Sequence, residues 1–209
     1  MNNLAKSAGQ LIVTSDGTRG KLWFDESGTK RINIVPDVID CGAASVSVPK
    51  MSGCCFVAGT QVTLADGTTI PIEALTKDML VLSYNINAKN FYTTKVKSIT
   101  INHHSLYMAR VILENGIEVI MTDYHPLLTT NGWHSLTNHN GYELLTTDDY
   151  VITLNGPKKI KSIVLYSNDK FIDTYTIDVI DLNESKDNDK NDNFIVNGIV
   201  AHNAILCPT

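Results

Sequence analysis

Three groups of residues in this chain could together cut a polypeptide backbone. The first opens on a thiol, in Cys55-Phe56-Val57-Ala58-Gly59-Thr60-Gln61-Val62. The second is Thr122-Asp123-Tyr124-His125, and the third runs Phe194-Ile195-Val196-Asn197-Gly198-Ile199-Val200-Ala201-His202-Asn203. A cysteine thiol can attack the carbonyl that precedes its own amide and turn the Cys54–Cys55 peptide bond into a thioester. That shift is uphill, because an amide is more stable than a thioester and a free thiol ionises only near pH ~8.5. It calls for a proton donor at the departing nitrogen, and a histidine of near-neutral pKa suits that task. An asparagine side chain can instead close on its own carbonyl, form a succinimide and cut the following bond, here Asn203–Ala204. His202 stands beside it, able to polarise that carbonyl or protonate the leaving amine.

In this order and spacing, the motifs resemble those of the Hint superfamily, which holds inteins, bacterial intein-like domains and hedgehog processing domains. The resemblance spans 55–203 and is nearest to minimal inteins and to type A bacterial intein-like domains. It implies that Cys55 is the nucleophile, because the family places that residue directly before the Phe-Val-x-Gly-Thr run. It implies that His125 is the acid, that Thr122 bonds near the scissile peptide or its oxyanion, and that His202 and Asn203 act at the far end. Cys54 and Ala204 then complete the two scissile junctions. The implied reaction is a single turnover on the chain's own flanking segments, with no cofactor and no metal. External thiols or amines would intercept the thioester.

Two positions depart from the intein pattern. Ala204 stands where splicing inteins carry Cys, Ser or Thr, so cleavage at either end is expected and splicing is impaired. In Tyr175-Thr176-Ile177-Asp178-Val179, Thr176 stands where many inteins have aspartate, and Asp178 two residues on is an accessory candidate. Cys207 is another, as an acyl acceptor. The hedgehog-like alternative lacks the terminal His-Asn pair found here. A second reading, from a different class, is a catalytically silent Hint scaffold that serves as a structural or interaction module.

Composition narrows the field. The chain has 209 residues, 43% of them hydrophobic, and a formal net charge of −5. That length suits one substantial core with a modest appendage. The acidic balance, with no long Lys/Arg run, argues against a nucleic-acid partner. The stretch 126–174 is too short to house the homing endonuclease of larger inteins. No segment approaches the roughly 18 apolar residues of a membrane span, and 1–13 lacks the apolar run of a signal peptide. Cys41, Cys54, Cys55 and Cys207 match no zinc or disulfide framework. A reduced, cytoplasmic monomer is the default expectation.

The elements that must position these groups read as β throughout. Short apolar or alternating runs recur at 61–64, 79–84, 94–101, 107–113, 116–121, 150–154, 160–166 and 174–179. Asp66-Gly67, Asn115-Gly116, Asn131-Gly132 and Asn197-Gly198 are hairpin turn signals. A short helix is predicted over 72–76. The run Leu75-Thr-Lys-Asp-Met-Leu-Val-Leu-Ser-Tyr-Asn85 aligns without gaps on Leu145-Thr-Thr-Asp-Asp-Tyr-Val-Ile-Thr-Leu-Asn155, matching at Leu, Thr, Asp, Val and Asn. Two related halves are therefore expected, each giving one group to a shared centre. Sequence and resemblance agree on an all-β, pseudo-twofold horseshoe over 55–203, with a β-rich flank at 1–54 and a short flank at 204–209. The stretch 42–53 reads as a linker, and 183–193 as a solvated loop without apolar residues. His103, His104, His134 and His139 read as surface or loop residues.

Overall fold

The computed structural model describes residues 10–13, 19–24, 30–34, 55–137, 142–180 and 192–203. In chain order the first strands are β1 Gln10–Val13, β2 Arg19–Phe24, β3 Lys30–Ile34, β4 Phe56–Val57, β5 Gln61–Thr63 and β6 Thr69–Pro71. Then follow β7 Leu80–Asn85, β8 Asn90–Leu113, β9 Glu118–Thr122, β10 Leu127–Thr129 and β11 Gly132–Ser135. The last are β12 Glu143–Leu144, β13 Tyr150–Val151, β14 Lys158–Val179, β15 Asn193–Val196 and β16 Ile199–His202. Among the described residues the one helical element is a 3₁₀ turn, Ile72–Ala74. The helix expected over 72–76 is thus a single turn entered from Pro71.

The internal repeat is visible in the backbone. In the first half, Leu64 bridges Val81 and the Ala65 amide donates to Leu80 O at 3.0 Å. In the second half, Thr129 pairs with Val151 and the Thr130 amide donates to Tyr150 O at 2.9 Å. The tight turns inside each repeat also agree: Met79 donates to Thr76 O at 3.3 Å, and Asp149 to Thr146 O at 3.2 Å. β7 leads into β8 as β13 leads into β14, and these two long strands pair antiparallel from Ile160↔Leu113 to Val179↔Val96. The architecture is all-β with a pseudo-twofold. β1 to β3 form an antiparallel meander that joins the sheet through Leu11↔Leu165. The predicted linker at 42–53 lies outside the described residues.

Three expectations need correction. The runs 94–101 and 107–113 are one strand, and so are 160–166 and 174–179. Most of the residues that join them are polar, several are exposed, and register shifts fall between Ser167 and Thr174. Bulges and two-sided solvation remove the alternation by which a strand is read. The loop expected over 183–193 ends too late: 181–191 lie outside the described residues, but Asn193 opens β15 and is fully buried. Its carboxamide bonds Ser83 Oγ and both backbone groups of Tyr84, which repays the cost of burying it. His134 is 7% exposed in β11, beside a buried Asp149, and is no surface residue.

The core runs through the motif segments themselves. Phe56, Val62, Met121, Leu127, Ile177, Phe194, Val196 and Ile199 are fully buried. Phe56 from β4 and Phe194 from β15 meet edge-on at 5.9 Å between ring centroids. Complete burial of such side chains stabilises by roughly 1.5–3 kcal/mol each.

Candidate active site

Cys55 enters the site one residue ahead of β4, which pairs with β9 at Phe56↔Met121 and with β14 at Tyr175↔Phe56. After β4 the chain must turn sharply, and Gly59 takes φ +82°, which an L side chain rarely adopts. Thr60 closes the turn by donating its hydroxyl to Val57 O at 2.8 Å. That accounts for the Gly-Thr of the motif on structural grounds alone. Cys55 is fully buried.

Thr122 clasps Cys55 from the opposite strand. Its hydroxyl accepts the Cys55 N–H at 3.0 Å, and its own N–H donates to Cys55 O at 2.8 Å. The nitrogen of the Cys54–Cys55 peptide is therefore held by a threonine hydroxyl. Thr122 and His125 are the ends of a tight turn, closed by the His125 amide on Thr122 O at 3.1 Å. This explains the spacing of Thr-x-x-His: a four-residue turn brings the histidine back over the strand that carries the threonine.

His125 is fully buried, with its ring 4.1 Å from that of Phe56. Its Nε2 lies 3.1 Å from His202 O. A carbonyl only accepts, so that nitrogen carries the proton. His125 thus touches the residue after Cys55 and the residue before Asn203.

Asn203 follows β16 directly. Asn197 and Gly198, both at positive φ (48° and 79°), form the two-residue turn between β15 and β16. The Asn197 side chain fixes that hairpin by accepting from the Gln61 amide at 2.9 Å and donating to Glu118 O at 2.8 Å. His202 Nδ1 lies 3.1 Å from Asn203 O, the carbonyl of the Asn203–Ala204 bond. Trp133 packs edge-on against the His202 ring at 4.7 Å, and Tyr142 lies at 6.0 Å. Asn203 is 3% exposed and its amide donates to Asp192 O at 2.8 Å. Its side-chain oxygen accepts from the Val179 amide at 3.0 Å, and its nitrogen donates to Asp178 Oδ1 at 2.5 Å. Lys97 pairs with Asp178 Oδ2 at 2.8 Å, and that bond raises the lysine's pKa above its ordinary value.

Cys55, Thr122, His125, His202 and Asn203 are thus brought into one neighbourhood, with Asp178 beside Asn203. Thr176 lies one residue along β14 from the Tyr175↔Phe56 pair. Its buried hydroxyl makes no hydrogen bond among the described residues. Cys54, Ala204 and Cys207 lie outside the described residues. Trp133, Tyr142 and Lys97 are the neighbours that sequence reasoning missed. They sit in no motif, and only the Asn131-Gly132 turn hinted that a strand near Trp133 folds back here. No group of three or more potential metal ligands occurs among the described residues, and no described helix is long and apolar enough to cross a membrane.

No protein-family model matches the chain, and no curated protein does. Solved structures do. The bacterial intein-like domain from Clostridium thermocellum superposes with a TM-score of 0.59 at 20% identity, over 73% of this chain and 99% of that one. The DnaB intein from Synechocystis sp. PCC 6803 gives 0.58 at 20% identity, over 74% and 100%. A variant of the Ssp DnaB mini-intein gives 0.58 at 21% identity, over 74% and 96%. The chain has the Hint fold of inteins and bacterial intein-like domains.

Proposed function

We propose that this chain is a self-processing domain that cuts its own backbone at Cys54–Cys55 and at Asn203–Ala204. Residues 1–54 and 204–209 are then flanking segments, and 55–203 is the unit that processes them. One observation carries the reading: His125, buried between the two junctions, contacts Phe56 at 4.1 Å and bonds His202 O at 3.1 Å. A single imidazole beside both ends has little purpose in a passive scaffold, where a buried aliphatic residue would cost less.

At the first junction, the Cys55 thiol adds to the Cys54 carbonyl carbon and the Cys55 nitrogen leaves that carbon. Thr122 Oγ1 fixes the orientation of this nitrogen, and His125 is the acid that protonates it. Acid catalysis of this kind supplies about 10²–10⁴ in rate. The product is a thioester between residue 54 and the Cys55 sulfur, open to an external thiol or amine. At the second junction, Asn203 Nδ2 attacks the Asn203 carbonyl carbon, while the Nδ1 proton of His202 stabilises the oxygen of that carbonyl. Ala204 offers no side-chain nucleophile, so the thioester has no partner placed directly after Asn203. Cleavage at both ends exceeds splicing.

Intact mass spectrometry of the purified chain, with and without dithiothreitol, tests the reading. Fragments ending at Cys54 or at Asn203 are expected, the first lost in Cys55→Ala and the second in Asn203→Ala. A product joining 1–54 to 204–209 would mean that splicing survives Ala204. A single uncut mass at every pH and thiol concentration would leave a silent scaffold.

A further inference from the structure

We infer that Asp178 is the proton acceptor for cyclisation of Asn203, with the Val179 amide holding the imidate oxygen that forms. The inference rests on the self-cleaving reading above. A carboxamide nitrogen is a poor nucleophile because its lone pair is delocalised into the carbonyl. It becomes reactive as it loses a proton, and the charge then gathers on Oδ1. The site must therefore hold an acceptor at Nδ2 and a donor at Oδ1. Both are in place: Nδ2 donates to Asp178 Oδ1 at 2.5 Å, and the Val179 N–H donates to Oδ1 at 3.0 Å.

The two groups are consecutive in β14, so one strand fixes both, the carboxylate by its side chain and the donor by its backbone. Lys97, on β8, holds Asp178 Oδ2 at 2.8 Å and leaves Oδ1 turned to the asparagine. The Asn203 amide on Asp192 O fixes the reacting backbone from the other side. Thr176 and Asp178 lie two apart in one strand and so share a face. The acid thus sits on the face where the family resemblance expects one, displaced by one strand period toward Asn203.

The balance closes within the site. As the Nδ2–C bond forms at the Asn203 carbonyl carbon, the Nδ2 proton passes to Asp178 Oδ1. The carbonyl oxygen takes the charge against His202 Nδ1–H. On collapse the C–N bond to Ala204 breaks, and the proton held by Asp178 passes to the Ala204 nitrogen. Asp178 ends ionised, as it began, and the chain ends in a succinimide.

Mass spectrometry on one sample can follow release of 204–209 and thiol-dependent cleavage at Cys55 together. Asp178→Asn keeps the shape and loses the acceptor, so the ratio of C-terminal to N-terminal cleavage rates should fall about a hundredfold. Asp178→Glu, which keeps the charge beside Lys97, should recover part of that ratio. Asp178→Ser replaces the Asn variant, with the same expected loss, if circular dichroism finds the latter unfolded. An unchanged ratio in the variant lacking the carboxylate, or equal ratios for it and Asp178→Glu, overturns the assignment while self-cleavage stands. A wild-type chain that cuts nowhere overturns both.

Discussion

The surroundings of Cys55 and of Asn203 differ in kind. Cys55 sits in the core, held by a threonine hydroxyl and by backbone bonds, next to Phe56 and the fully buried Met121. Asn203 sits at the core's margin, held by an aspartate that is itself tied to a lysine, with side-chain exposures of 26% and 63% for that pair. Cys55 is positioned by strand register and a threonine hydroxyl. Asn203 is positioned in part by a carboxylate. A nucleophilic thiol needs a strained or well-oriented peptide in front of it, which rigid neutral packing supplies. A carboxamide needs a place for its proton, which packing alone cannot give.

The contrast can be broken most severely at the reacting atoms. Cys55→Ala should abolish thiol-dependent cleavage and spare cyclisation, and Asn203→Ala should do the reverse. Loss of both products in either variant, read by intact mass, would mean that the two centres are one. Next in size, His125→Ala should slow N-terminal thiolysis by about 10²–10⁴. It should also slow C-terminal release, because the bond to His202 O goes with it. Thr122→Val keeps the shape and removes the acceptor for the Cys55 amide. One hydrogen bond of about 1–1.5 kcal/mol corresponds to roughly a tenfold slower thiolysis in timed quenches.

Smaller effects sharpen the comparison. Asn193→Ala strips the partners of Ser83 and Tyr84 and should cost about 1–3 kcal/mol in urea unfolding. The smallest effect should come from Lys97. Its pKa is raised from 10.5 chiefly by its hydrogen bond to Asp178. Any stability this pair adds is therefore complete below that pH and is lost as pH rises through the higher folded-state value. Lys97→Met should reduce the alkaline slope of unfolding curves. Moderate salt should weaken this exposed pair and leave the Cys55 clasp unaffected.

The same contrast separates what was legible in the sequence from what was not. The turn dipeptides gave most hairpins, since Asn-Gly and Asp-Gly report their own backbone conformation. The repeat pairing 75–85 with 145–155 was visible because both copies keep the residues of one local turn. Thr122 and His125 were found through the resemblance to the family's Thr-x-x-His, whose spacing is that of the tight turn closed by the His125 amide on Thr122 O. Asp178 was noted, but nothing in the chain's order said that it would reach Asn203 across β14 and β16. Lys97 and Trp133 were hidden for the same reason: their roles arise from pairing between distant strands. His134 was misjudged because burial beside Asp149 depends on the second half closing over it, and a lone histidine carries no sign of that.

β4 pairs on one side with β9 and on the other with β14. Cys55 stands one residue ahead of β4, yet its seat is finished only when residues near 175 have been made. On a ribosome adding roughly 5–20 residues per second, about 120 further residues take on the order of ten seconds. During that interval Cys55 is an ordinary thiol on an unfinished chain. Under the proposed self-cleavage, strand order acts as a clock, holding back the cut at Cys55 until the residues that pair with β4 have been made.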